Sequence, residues 1–407
     1  LVEGRRIDHT TFAKFRTKFA EPLKDLFQQI GRVAMSMGLI RLGEVAFDGT
    51  RVKANNNRCR TAKTLEEKLQ VLDQLFEEMM EEARAADAAE TSASASDGDD
   101  DNSPTQLPGP LADLKQRRER VREALSNAQE ADRARSKRGI NPQTHPVRVP
   151  TTDLDARVMP NKEGGYAANY TPTATTDGHR GFIVDCDVLA EVNETHQAAS
   201  SVDRIEETFG QKPAKFLTDG GNNSGLVMQE MEERGVEFYA PTTVTQPQAG
   251  HPAQRDNPRE PIPCEQWPDL PRTKAGRVPN SCCVYDAHED QYYCPQGKPL
   301  PFVRTKSSVK DGVRKTSRIY RCKSCKDCLL AGICYVRVSH SGREISRDQY
   351  EALRERTAAR MASDQGQRLY QQRAHSAETP FGIIKTAIGL RQFLLRSLPK
   401  VKTEWRW

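Results

Sequence analysis

The sequence predicts an α/β fold: a mixed sheet flanked by helices, with a helical-hairpin insertion and an inserted Cys-rich lobe. Three observations lead there. Two short apolar runs, Gly43–Phe47 and Ala214–Thr218, each deliver an acid followed by glycine, Asp48-Gly49 and Asp219-Gly220, as buried strands ending in a turn do. Residues 214–240 read strand, helix, strand, which favours a parallel pair. Two long charged helical patterns separate the first strand from the rest.

Taken in order, Phe12, Phe15, Phe19, Leu23, Leu26, Phe27, Ile30 and Val33 recur at helical spacing. Residues 1–40 are therefore a helical lead-in. The core starts with 41–60, which contains the strand ending at Asp48. Residues 62–90 form a Glu- and Ala-rich helix with a Leu/Met stripe, and a second charged helix runs from Leu111 to about Arg138. Between them, 91–110 carry Asp97, Asp99, Asp100 and Asp101 among Ser, Gly and Pro, a composition too polar to pack. The segment 61–149 thus reads as a helical hairpin with a disordered acidic linker, inserted into the core.

The core resumes over 150–242. Two extended segments flank Gly178–Gly181, Thr195 is placed to cap a helix running to Phe209, and another helix starts near Ser224. Residues 243–345 are Pro-rich, polar and then Cys-rich and basic, an inserted lobe. From about Ser346 to 407 the pattern is helical.

At 36% hydrophobic and 29% charged residues the 407-residue chain is polar. It has no run of eighteen apolar residues, which excludes a helical membrane span. No charged-then-apolar leader is present, so the expected location is the cytoplasm, associated with the nucleoid. Leu1 opens in mid-pattern and Trp407 stops as an apolar helix builds, so truncation at both ends is expected. Net charge is +5, but its distribution says more: residues 301–341 hold ten Lys/Arg against two Asp, and 342–407 thirteen against seven acids. A basic C-terminal third suits phosphate contacts; a solvated charged face is the plain alternative.

Asp48 and Asp219 are the first candidate site. On neighbouring strands their carboxylates converge at one sheet edge. Mg²⁺ and Mn²⁺ take carboxylate oxygens and keep some water, so two or three such groups are a natural ligand set. Two ions so held activate an attacking hydroxyl and stabilise the leaving oxygen of a phosphodiester. Taken alone, an Asp-Gly at a strand end is usually a turn.

A third segment alters that balance. Tyr370 to Lys385, YQQRAHSAETPFGIIK, resembles the Tyr–Arg–Glu–Lys signature of bacterial insertion-sequence DDE transposases. Four residues separate Arg373 from Glu378, one more than in the best-known form and similar to the branch with "R…VE–FG–IK" segments. Phe47–Ala54 and Leu217–Gly221 resemble the first and second Asp motifs of that branch, and Gly389–Arg396 is similar as well. The resemblance implies a ribonuclease H-like fold and metal-dependent DNA cleavage and strand transfer. It also implies that Asp48, Asp219 and Glu378 hold two Mg²⁺ or Mn²⁺ ions and that Tyr370, Arg373 and Lys385 grip phosphates. Arg offers a bidentate fork and Lys a point charge. The implied partners are double-stranded DNA, as transposon ends and target, and a second copy of the chain in the working complex. A family N-terminal DNA-binding region would survive only as the 1–40 remnant, and 346–407 would be the catalytic helix region. An inactive DNA-binding remnant and a cellular nuclease of the same fold are the competing readings. His196 and His375 are read as polar-face residues, and Asn169 and Tyr170 are given no role.

Eight of the ten Cys fall between 264 and 334. In a reducing compartment such density argues for metal rather than disulfides, against the plainer reading of free thiols. Cys294, Cys325, Cys328 and Cys334 match the family's recurrent "CP–G … C–C … C" pattern, which implies a structural Zn²⁺ on those four with Cys322 as competitor. Adjacent Cys282 and Cys283 rarely reach one ion, and Cys59 and Cys186 read as packing.

Overall fold

The computed structural model describes residues 8–93, 109–161, 164–310, 313–334 and 342–406. Two lead-in helices, α1 (His9–Lys18) and α2 (Ala20–Ser36), precede β1 (Glu44–Gly49), β2 (Val52–Lys53) and β3 (Cys59–Arg60). The hairpin follows as α3 (Ala62–Ala93) and α4 (Gly109–Ser136), zipped by Leu65, Leu72, Leu114, Val121, Ala124 and Ala128. Of the acidic linker expected at 91–110, residues 94–108 lie outside the described residues; Thr91–Ala93 instead close α3, and Gly109 and Pro110 open α4.

The chain re-enters through β4 (Val149–Pro150), β5 (Arg157–Pro160), β6 (Tyr166–Asp177) and β7 (Ile183–Leu189). Then come α5 (Gln197–Phe209), β8 (Lys215–Leu217), α6 (Gly225–Glu233) and β9 (Glu237–Tyr239). Across its middle the main sheet runs β7–β6–β1–β8–β9. Strand β6 pairs antiparallel with both β7 and β1, while β8 and β9 run parallel to β1. Short strands β2 and β5 extend the sheet along the first half of β6. Ser224 caps α6 by accepting from the Val227 N–H, as its sequence position suggests. Thr195 does not cap α5: His196 holds that position, and the Thr195 hydroxyl instead donates to the Gly221 carbonyl at 3.4 Å.

Both faces of the sheet are covered, so β6 is buried along nearly all its length rather than alternating. Three of its threonines find partners within the fold: Thr171 donates to the Glu191 carbonyl at 2.6 Å, Thr173 to the Asp187 carbonyl at 3.3 Å, and Thr175 pairs with Ser201 at 2.6 Å, while the buried Thr176 hydroxyl has no hydrogen-bond partner among the described residues. One face packs Val45, Phe47, Phe216 and Phe238 against α2, α5 and α6. The other packs Tyr170, Ala174 and Val188 against two C-terminal helices. Alternation along β1 thus turns Phe47 into the first layer and Asp48 toward the second.

Residues 284–348 build a separate antiparallel sheet. Its order is β10 (Val284–Asp286), β11 (Gln291–Tyr293), β12 (Pro299–Lys310), β13 (Val313–Arg321), β14 (Glu344–Asp348), with α7 (Ala331–Cys334) between the last two strands. Tyr285, Tyr292 and Tyr320 pack in its core with tilted and edge-on rings. The helical stretch expected from Ser346 begins only at Glu351, because Glu344–Asp348 pair with β13. Helices α8 (Glu351–Ala362), α9 (Asp364–Thr386) and α10 (Leu398–Trp405) end the described chain. Among the described residues no helix is long and apolar enough to cross a membrane.

Candidate metal centre

Strands β1, β7 and β8 all run antiparallel to β6 or parallel to β1, so their C-terminal ends share one edge of the sheet. Each delivers an acid there. Asp48 is the penultimate residue of β1 and accepts from the Gly49 N–H at 2.9 Å. Asp219 follows β8 and caps a single 3-10 turn, Gly220–Asn222, accepting from the Gly221 N–H at 2.9 Å. The third acid is Glu194, five residues beyond β7. One oxygen from each of Asp48, Glu194 and Asp219 lies within 4.8 Å of the other two. Oxygens on one octahedral Mg²⁺, bonded at about 2.0–2.1 Å, stand about 3 to 4 Å apart, so the three fit a hard divalent cation after small rotamer adjustments.

Gly49 makes room for this arrangement: a Cβ on it would stand 3.1 Å from the Glu194 carboxyl carbon. Burial, followed by repulsion from Asp219 and Asp48, holds the Glu194 carboxyl above its usual range. A cation placed among the three acids would relieve that repulsion.

Helix α9 lies over the same edge. Its buried stripe is Leu369, Arg373, Ala377 and Phe381. Arg373 Nη2 stands 3.7 Å from Asp48 Oδ1, and its Nε is buried with no hydrogen-bond partner among the described residues. Tyr370 packs beside it, with the guanidinium 6.0 Å from the ring centre. Burial raises the Tyr370 phenol, Arg373 opposes this, and the nearby Asp219 and Asp48 reinforce it. One turn past Phe381, Lys385 Nζ donates to Thr50 Oγ1 at 2.5 Å and to the Arg51 carbonyl at 3.0 Å.

Tyr370, Arg373 and Lys385 gather at the end of β1, whereas Glu378 does not join the acids. With Arg373, Ala377 and Phe381 facing the sheet, Glu378 falls at the rim of the buried stripe and is exposed. Among the described residues the close acidic group contains Glu194 in the place expected for Glu378. Sequence reading missed Glu194 because it sits in an irregular turn with no motif. The available signal was topological: a third strand ending at the same edge, followed by an acid.

The sulfur cluster forms a second concentration of donors. Cys294, Cys322, Cys325, Cys328 and Cys334 line one small cavity with Arg343. A hydrogen bond from the Cys322 thiol holds Cys294 toward the thiolate. The Cys334 sulfur accepts from Arg343 Nη1 at 3.0 Å, and Cys325 from the Arg343 N–H at 3.4 Å. Among the described residues no three of these sulfurs lie within 4.8 Å of one another, so the cluster is gathered without being closed to tetrahedral spacing. Cys282 and Cys283 are buried in the packing of the lobe, and Cys186 in the main sheet.

The fold and the acidic edge define a mixed α/β protein with a candidate divalent-cation centre. Residues 293–407 match the family model of the transposase DDE domain. The matched segment contains α9 and the five clustered cysteines, while Asp48, Glu194 and Asp219 lie outside it. No curated protein matches the chain. The match covers less than a third of the chain and supports a relation to transposase DDE domains.

Proposed function

We propose that this chain is the catalytic part of an insertion-sequence DDE transposase, cleaving DNA at the element's ends and transferring the strands to target DNA. The observation that carries the reading is a junction. Arg373 and Lys385, inside the matched segment, reach Asp48 and the Thr50–Arg51 turn of β1, outside it. The order β7–β6–β1–β8–β9, three antiparallel strands followed by two parallel to β1, supports a ribonuclease H-like fold.

In this reading Asp48 and Asp219 hold Mg²⁺ or Mn²⁺, two ions in the working complex. Such ions supply Lewis acidity toward a phosphodiester and make an attacking hydroxyl a better nucleophile. Two residues are candidates for the third carboxylate: Glu194, which sits with the aspartates, and Glu378, which the signature resemblance indicates. The Arg373 guanidinium, 3.7 Å from Asp48, would take a phosphate, Tyr370 would flank it, and Lys385 would add a point charge. Acting on two ends implies at least a dimer, and chromosomal substrate implies the nucleoid. In the lobe, Cys294, Cys325, Cys328 and Cys334 would hold a structural Zn²⁺; Cys322, hydrogen-bonded to Cys294, is the alternative ligand.

The test uses purified protein, Mg²⁺ and a duplex carrying the DNA that flanks the coding sequence. End-specific nicking or excision is expected, with Asp219→Asn lowering the rate on the order of 10³-fold or more, the scale of several kcal/mol supplied by a metal. Cleavage regardless of the flanking sequence would instead indicate a cellular nuclease. Binding without cleavage would indicate an inactive remnant, and undiminished cleavage by Asp219→Asn would refute the metal assignment.

A further inference from the structure

A cleft of about 2010 Å³ lies next to the loop that carries Glu194, between that loop and the second sheet; Asp48, Glu194 and Asp219 are not themselves among its lining residues. One wall is the loop that carries Glu194, including Asn193 and Thr195, together with Asn223. The opposite wall includes Val313, Lys315, Glu344, Ser346 and Asp348. Strand register puts these five on a single face of the second sheet. Ser317 pairs with Asp348, Ile319 with Ser346 and Arg321 with Glu344, and odd-numbered residues of β13 share that face. On β12 the partners of Ile319, Ser317 and Lys315 are Arg304, Lys306 and Ser308, so these three extend the same face beyond the cleft. Phe302, Arg318 and Tyr320 occupy the other face, where Arg318 stacks on Phe302 with its guanidinium 4.2 Å from the ring centre.

The β12–β13 ribbon is unlike the rest of the second sheet. Residues 301–309 are exposed throughout, about 30 Å of strand at 3.4 Å per residue. Strands β12 and β13 together carry seven Lys/Arg and no acid. The cleft itself mixes charges, with Arg277, Lys315, Arg343 and Arg354 against Glu191, Glu344, Asp348 and Glu351. The excess positive charge is therefore on the ribbon, at the mouth of the cleft. A two-stranded ribbon of this form fits the major groove of B-DNA, roughly 12 Å wide.

We propose that the ribbon face bearing Arg304, Lys306 and Lys315 grips double-stranded DNA in its major groove and feeds it into the cleft beside Asp48, Glu194 and Asp219. This rests on the reading of the chain as a DNA-cleaving enzyme. Arg304 and Lys315 are held in place by Glu344 at 3.7 Å and Asp348 at 2.7 Å, so both are positioned before DNA arrives. Lys306 lies between them on the exposed stretch.

The experiment measures binding of the full chain to a fluorescent duplex by anisotropy over a salt series. Each lost phosphate contact lowers the slope of log affinity against log salt by about 0.9. The triple variant Arg304→Ala, Lys306→Ala, Lys315→Ala is expected to lose a slope of about 2 to 3 and bind roughly tenfold or more weakly near 0.1 M salt. A charge-matched variant, Arg133→Ala, Arg135→Ala, Lys137→Ala at and just past the exposed end of α4, is expected to bind as the wild type does. A photo-crosslinking amino acid at position 308 should label the duplex, and the same group at 307, on the opposite face, should not. Labelling from 307 alone, or equal salt slopes in wild type and ribbon variant, overturns the proposal while leaving the enzymatic reading intact. No duplex binding by the wild type overturns both.

Discussion

Glycine 49 and Glu194 meet at a boundary where a methyl group does not fit without movement. A Cβ at position 49 would approach Glu194 to 3.1 Å, so Gly49→Ala should push that carboxylate away from Asp48 and Asp219. Calorimetric titration with Mn²⁺ should show affinity falling about tenfold in Gly49→Ala and in Glu194→Gln, the scale of one weakened ligand. Glu378→Gln should leave Mn²⁺ affinity unchanged if Glu194 is the third ligand; the reverse pattern would return that role to Glu378. Glu194 also predicts a pH dependence. Burial, with the Asp219 and Asp48 charges, raises its folded pKa above the unfolded value. The folded protein then keeps a proton that the unfolded chain releases, so stability falls as pH rises from the ordinary carboxylate range toward the raised value. Bound Mg²⁺ removes that penalty. The melting-temperature gain from Mg²⁺ should therefore grow with pH across this window, and a constant gain would contradict the ligand role of Glu194. Asp48 and Asp219 were legible because each stands at the end of an apolar strand before a glycine. Glu194 was not, because nothing local marks a loop acid whose neighbours come from two other strands.

Among the elements, α6 and α8 pack so closely that Gly225 at the start of α6 has no room for a side chain. A Cβ there would stand 2.3 Å from Tyr350 Cβ and Cγ, just ahead of α8. Gly225→Ala should destabilise the fold by about 1–3 kcal/mol, the usual cost of overpacking, read as a lower denaturation midpoint. An unchanged midpoint would mean that the two helices separate freely. The helices themselves were readable from period, as with the one placed from about Ser224, whereas the cap assigned to Thr195 was not. Strand β14 was not: Glu-Ile-Ser-Arg-Asp runs straight into the charged pattern of α8, and only pairing with β13 holds it extended. The same limit applied to α9. Its signature residues were legible, but which of them face the sheet depends on packing, and that packing buries Arg373 and leaves Glu378 exposed.

At the scale of the whole molecule, the matched C-terminal segment and the three acids come from distant parts of the chain. Contacts between α9 and β1 join them: Arg373 beside Asp48 and Lys385 on Thr50. The alternation of strands and helices made the α/β class readable in advance. The order β7–β6–β1–β8–β9 was not readable, since it follows from which edges pair. The divalent-cation centre proposed at this edge consists of Asp48, Asp219 and a third carboxylate. The most direct measurement is Mn²⁺ binding followed by electron paramagnetic resonance, comparing wild type with Asp219→Asn. Saturable binding in the wild type, weakened at least tenfold by the substitution, is the predicted result; identical stoichiometry and affinity in the two proteins would contradict the claim.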